Sequence, residues 1–413
     1  MILIFDIFTV LFATVLLSHN IKKVIYNNFG VMDLVAVIYY FMQVFPLLIQ
    51  YFKNFTIYDC NKNIVLYNAM TDETVALCYD LFCIITVLTF YFFSQKDEKD
   101  FYRLFNGQTF YSDNVKIVVR LLIYLPLFLG FLFAPVKGIY LTFSYFYNTT
   151  VTSSSIEYIY HREVISTVVL ISSFFVLLNY YISNNVSYRS TFSTWIGLIL
   201  CTWFDGKRTL LVVILLGIVA IDYIKGNFEG FSFFKRCSSF LLVILIYFAV
   251  YSLFTNKGHD DDWFTNYFFY FNRLNVEKLA IYDKLYTNKM LDYNGQTILF
   301  NLFFFVPRLV WADKPAMYCK YFTGYAYHGD GNHWVSGNYQ VNLWGEFVSN
   351  FGLLGHFLAL AFLIILSRFI IRAKTPVCYS AGLLFILLYQ MFGFESLTLY
   401  VYISWIISLI LKK

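Results

Sequence analysis

Charge is scarce in this chain. Asp, Glu, Lys and Arg make up 13% of its 413 residues, against about a quarter in soluble domains, which excludes a solvated globular protein. Proline numbers only six, so few helices are forced to break. The seven cysteines show no CxxC spacing and fall mostly in apolar runs, so no metal site and no disulfide framework is implied. A basic leader is missing too: Met1 to Ser18 is apolar, with no cationic start and no small-residue cleavage site, and reads as a first transmembrane helix.

What is present is hydrocarbon. Apolar residues reach 59% and the mean hydropathy is +0.62, the composition of an integral membrane protein. Runs near the ~20 residues that span a bilayer fall at Ile2 to Leu17, Gly30 to Tyr51, Val75 to Phe93, Val115 to Phe133, Glu163 to Ile182, Thr191 to Phe204, Thr209 to Ile224, Ser238 to Phe254, Val341 to Ile364, Cys378 to Phe392 and Leu397 to Leu411. The fold class expected is therefore all-α, a polytopic membrane protein of about eleven spans. Residues 1–254 hold the first eight, 255–340 form one large loop region with short amphipathic helices, and 341–413 hold the last three.

Basic residues sort the loops. Lys22 and Lys23, Lys96, Lys99 and Arg103, Arg189, Lys225, Lys235 and Arg236, Arg368, Arg372 and Lys374, and Lys412 and Lys413 fall in alternate connections, the pattern of cytoplasmic loops. This rule absorbs most of the net charge of +5 and removes the need for a nucleic-acid partner. The remaining loops, among them the turn at Asp205 to Arg208 and the interval Thr255 to Gln340, then face the extracytoplasmic space.

The polar chemistry collects there. In Asp205-Gly206-Lys207-Arg208 an N-cap, a bend and two cations open a helix, an arrangement that suits phosphate or serves as a hairpin tip. Phe264 to Lys289 reads as an amphipathic helix against the bilayer, with Arg273 in a structural or substrate role. Leu299 to Val306 is apolar yet too short to span, and carries Arg308, Trp311 and Lys314 to the surface between Pro307 and Pro315. His328, Asp330, His333 and Trp334 match no common metal spacing and suit a sugar-binding loop or a structural one. Glu346 and Asn350, four apart, share a helix face; Glu346 is a general-base candidate or the partner of a nearby arginine.

The segments Val306-Pro307-Arg308-Leu309-Val310-Trp311-Ala312-Asp313-Lys314-Pro315, Gly345-Glu346 and Asn350-Phe351-Gly352-Leu353-Leu354-Gly355 resemble the Wzy-type O-antigen polymerases, and Gly206-Lys207-Arg208 is similar to that family's Gly-x-Arg hairpin. An Arg followed by ten residues and a Gly, known in loops of some members, does not start at Arg208, Arg273 or Arg308.

The resemblance implies a GT-C-like glycosyltransferase of the bacterial cytoplasmic (inner) membrane with its site facing the periplasm. Its substrate would be an oligosaccharide repeat unit on undecaprenyl pyrophosphate, its setting membrane lipid, and its partner a chain-length regulator. No metal, cofactor or nucleotide sugar is implied. Arg208, Lys207, Arg273 and Lys314 would hold the pyrophosphate; Glu346, His333 and Arg308 would be catalytic; Trp311, His328 and Trp334 would meet sugar. An O-antigen ligase shares the donor chemistry. A lipid-linked oligosaccharide flippase is the transporter alternative, and no internal repeat of the kind such transporters show is visible.

Overall fold

The computed structural model describes residues 2–25, 30–51, 63–94, 113–133, 156–182, 188–205, 210–211, 214–215, 217–218, 221, 242, 273–303, 306, 310–333, 339–372, 382–383, 385–387 and 389–390. Among them every element is helical. Helices α1 (Ile2–Ile25), α2 (Val31–Tyr39), α3 (Pro46–Ile49), α4 (Ile64–Thr71), α5 (Glu73–Ser94), α6 (Asp113–Phe133), α7 (Ile156–Ile182) and α8 (Tyr188–Asp205) precede the long polar interval. Helices α9 (Leu274–Tyr282), α10 (Gln296–Leu302), α11 (Tyr318–His328), α12 (Leu343–Phe351) and α13 (Leu354–Ile371) follow. Two compact units divide the chain: Met1–Leu104 with Asp261–Lys413, and Phe105–Asp260. The first unit carries most of the described polar residues. In the second, α6 packs on α7 and α7 on α8, with Asn179 donating to Thr194 Oγ1 at 3.0 Å.

Four helical stretches are long and apolar enough to cross a bilayer: Leu3–Lys23, Val31–Ile49, Glu73–Ser94 and Leu354–Ile371. On two of them large apolar side chains face outward while polar ones lie among the buried positions. On α1, Ile4, Phe8, Leu11 and Val15 are exposed while Asp6, Thr9, Val10, Ala13 and Leu17 are buried; on α13, Leu354, Leu358, Ile365 and Phe369 are exposed while His356 and Ser367 are buried. Water would reverse that pattern, and lipid favours it. The further spans expected at Thr209 to Ile224, Ser238 to Phe254, Cys378 to Phe392 and Leu397 to Leu411 fall largely outside the described residues.

Helices α1, α5 and α13 run the same way. The His19 ring lies 6.4 Å from that of Tyr91, and the Arg368 guanidinium 5.6 Å over the Phe93 ring. Lys22, Lys23, Arg368 and Arg372 therefore gather at one end of the unit. At the other end Tyr286 donates to Asp72 Oδ2 at 3.1 Å, just before α5 begins, and α4 packs on α9 and α11.

Two interruptions shape the interior. Between α2 and α3 the chain widens into a π-turn at Tyr40–Val44, where Phe45 N donates to Tyr40 O at 2.8 Å. Pro46 follows; it has no N–H to offer the carbonyl four residues back. That carbonyl, Met42 O, instead accepts from Arg273 N at 3.4 Å, directly before α9. The second interruption divides Val341 to Ile364, expected as one span. Gly352, at φ 68° and ψ −160°, turns the chain between α12 and α13, in a region that only glycine enters without strain. Close packing then seats α12: a Cβ on Gly345 would stand 2.6 Å from Val276 Cγ1 of α9.

Helix α9 also departs from expectation. Over Phe264 to Lys289 a helix lying against the bilayer is expected, but every residue from Leu274 to Ile281 is buried. Its charged side chains reach inward, Glu277 to His356 of α13 and Lys278 over the Tyr79 ring of α5.

Candidate functional site

Glu346 is fully buried on α12. Its Oε1 accepts from Thr297 Oγ1 at 2.8 Å and from Asn301 Nδ2 at 2.7 Å, both on α10. Asn350, one turn on, accepts from Thr297 N at 3.2 Å through Oδ1 and donates to Thr297 Oγ1 at 2.7 Å. The shared face expected of Glu346 and Asn350 thus exists and clamps the start of α10, where free N–H groups need acceptors. Ser349 joins the same helix to α11 through the Tyr318 hydroxyl at 2.8 Å. Burial holds that phenol well above its usual range, against a lowering hydrogen bond from Ser349.

Downstream of α10, Trp311 is half-buried, with its ring 6.4 Å from that of Phe303 at 76°. Lys314 is buried; its Nζ donates to Val306 O at 3.0 Å and lies 5.0 Å over the Phe300 ring. Its ammonium holds the two ends of the 306–314 segment together. Arg273 is buried as well, and donates to Gln340 Oε1 at 2.5 Å. Arg308, Arg208, Lys207 and Trp334 lie outside the described residues.

His328 and His333 are exposed, with rings 4.9 Å apart at 49°. Tyr327 and Tyr339 continue the row at 5.8 Å between rings. The loop that sets this spacing is tightly held. His333 N donates to Asp330 O at 3.2 Å, a Cβ on Gly331 would stand 1.9 Å from Met290 O, and Asn332 Nδ2 donates to Asp292 Oδ1 at 2.7 Å. Two imidazoles and two phenol rings therefore share one solvent-facing surface. No group of three or more His, Cys, Asp or Glu side chains able to hold a metal ion occurs among the described residues.

Sequence reading missed Glu277, His356 and Thr86, all fully buried. His356 Nδ1 lies 2.5 Å from Glu277 Oε1 and Nε2 lies 2.7 Å from Thr86 Oγ1. Phe82 stacks on the His356 imidazole at 4.3 Å between ring centroids and Trp344 on the same ring at 4.8 Å. The available signal was a histidine inside an apolar run.

Comparison with models of known protein families, with curated proteins and with solved structures finds no match for this chain.

Proposed function

We propose that the chain polymerises oligosaccharide repeat units carried on undecaprenyl pyrophosphate, by glycosyl transfer at the outer face of the bacterial cytoplasmic membrane. One observation supports the reading: the second of the two segments that resemble the polymerase family holds α10, the helix that precedes the first segment in the chain. Glu346 and Asn350 of the second segment clamp α10, and α10 leads directly into the first segment, Val306 to Pro315. Gly345, Gly352 and Gly355 of the second segment supply the close approach and the turn that this clamp requires.

In the reaction, an acceptor hydroxyl oxygen attacks the anomeric carbon of the donor sugar. The bond from that carbon to the pyrophosphate oxygen breaks, and the pyrophosphate leaves with the electron pair. Cations stabilise that developing charge. The resemblance assigns this role to Arg308 and Arg208, with Lys207, Arg273 and Lys314 as further cations; Lys314 Nζ donates to Val306 O, at the start of the first segment. His333, exposed beside His328, receives the hydroxyl proton. Glu346 acts through its buried clamp on α10 and orients the segment that follows. Trp311, Trp334 and His328 present ring faces and hydrogen-bonding edges to sugar. Holding two lipid-linked substrates in register supplies much of the rate.

The test is chain growth in cells carrying Arg308→Ala or His333→Ala. Both variants are expected to insert and accumulate like the wild type while polymer is lost; wild-type polymer lengths in both would remove the assignment.

A further inference from the structure

The glycosyl transfer described above gives no role to Asp283, a fully buried carboxylate at the end of α9. There the helix widens into a π-turn, Asp283–Thr287, and the chain reverses at Asn288, whose φ of 50° is the one positive value outside glycine among the described residues. Burying a carboxylate is costly unless donors meet it, and three meet one oxygen here. Asp283 Oδ1 accepts from Thr287 Oγ1 at 2.8 Å, from Lys289 N at 2.7 Å and from Met290 N at 3.1 Å, while the Lys284 ammonium stands 3.8 Å from Oδ2. Closing α9 does not explain the residue. The free groups at a helix C-terminus are carbonyls, which a carboxylate cannot serve, and its charge opposes the helix dipole there.

Two branches leave this carboxylate, and both end on the exposed histidine pair. In the first, Thr287 gives its proton to Asp283, so the Tyr325 hydroxyl, 2.5 Å away, donates to Thr287 Oγ1. Tyr325 lies on α11, three residues before His328. In the second, the two residues whose amides Asp283 holds present their carbonyls to the loop of the other histidine. Gly331 N donates to Lys289 O at 3.1 Å, and a Cβ on Gly331 would stand 1.9 Å from Met290 O. Gly331 lies two residues before His333. The two supports also touch each other, since a Cβ on Gly324 of α11 would stand 2.7 Å from His333 O. One buried carboxylate thus holds both mounts of two rings that stand 4.9 Å apart.

We propose that Asp283 is a positioning residue: it sets the spacing of His328 and His333, and with it the place of His333 relative to the acceptor hydroxyl. Its part in chain growth rests on His333 as the base, the reading given above, whereas its hold on the spacing does not. Loss of the carboxylate frees three donors and lets the two mounts move independently. A displacement of about 1 Å at a reacting group costs up to about 100-fold in rate. The cations assigned to the pyrophosphate are not part of either branch, so substrate binding changes little.

The test uses the full-length protein in detergent with isotopically labelled histidine, and follows the ring protons of His328 and His333 by NMR beside the kinetics of chain growth. In the wild type the two rings are expected to show a mutual nuclear Overhauser effect. Asp283→Ala is expected to remove it and to lower kcat by about 10–100-fold at nearly unchanged KM. Asp283→Asn keeps an acceptor oxygen for the three donors and is expected to retain the effect and most of the turnover. Gly331→Ala moves the loop while Asp283 stays; it is expected to give the Asp283→Ala result and decides the matter if that variant does not fold. An Overhauser effect absent from the wild type, or kept in Asp283→Ala and Gly331→Ala with Tm alone lowered, would overturn the proposal. Loss of the effect in both variants at unchanged kcat would support Asp283 as the residue that spaces the pair and remove His333 as the base.

Discussion

His356 Nδ1 and Glu277 Oε1 stand 2.5 Å apart with both side chains fully buried. The contact joins α13, a membrane span, to α9, a short helix enclosed by other helices. Removing one member of such a pair leaves an uncompensated polar group in a medium of low dielectric, at a cost of about 3–5 kcal/mol. His356→Gln and Glu277→Gln are each expected to lower Tm, and the two together to lower it by less than the sum of the two losses. A double-mutant cycle on thermal unfolding checks this; additive losses would contradict a direct coupling.

A Cβ on Gly355 would stand 2.0 Å from Phe347 O. Backbone cannot retreat as a flexible side chain does, so Gly355→Ala must push α13 away from α12. The expected loss is about 1–3 kcal/mol, read as a lower Tm. Gly295→Ala is the control of opposite kind: the added atom meets nothing within 4 Å, and its cost comes only from the φ of 82°.

Glu346 Oε1 accepts two hydrogen bonds from α10, so its two conservative replacements should separate. Glu346→Gln keeps an acceptor oxygen and the side-chain shape. Glu346→Ala leaves the Asn301 and Thr297 donors unserved, at about 1–3 kcal/mol. If Glu346 positions the segment, polymer formation survives in Glu346→Gln and falls in Glu346→Ala along with Tm. Loss of polymer in Glu346→Gln at unchanged Tm would make the carboxylate the base.

Burial raises the Tyr318 phenol above its ordinary value of 10.0. A raised folded-state pKa stabilises the protein in full below the unfolded value, and the contribution is lost as pH rises through the folded one. Stability should therefore decline above about pH 10, and Tyr318→Phe should flatten its share of that decline. Comparing Tm against pH for the two proteins isolates this residue from the rest of the 36 tyrosines; parallel curves would contradict the sign.

The long spans were legible because lipid imposes a length and a composition on them. Expected runs at Ile2 to Leu17, Gly30 to Tyr51 and Val75 to Phe93 correspond to α1, to α2 with α3, and to α5. The break at Gly352 was not read, because hydropathy continues through Phe351 to Leu354 and only backbone geometry requires a turn there. Helix α9 was read on its apolar face alone. Glu277 and Lys278 look like a solvent-facing edge until His356, Asp80 and Asp6, remote in sequence, are brought beside them. Of the site, the pairing of Glu346 with Asn350 followed from helical spacing. Their target, Thr297 and Asn301, did not, since no local rule links positions so far apart.

The most direct test of the proposed function is to incubate the purified protein with an undecaprenyl-pyrophosphate-linked repeat unit, without nucleotide sugar or added divalent metal, and resolve the products on a gel. A ladder spaced by one repeat unit is the result expected of a polymerase. Donor consumed only after a second acceptor such as lipid A core is supplied would contradict it in favour of a ligase, and donor left intact under both conditions would contradict glycosyl transfer itself.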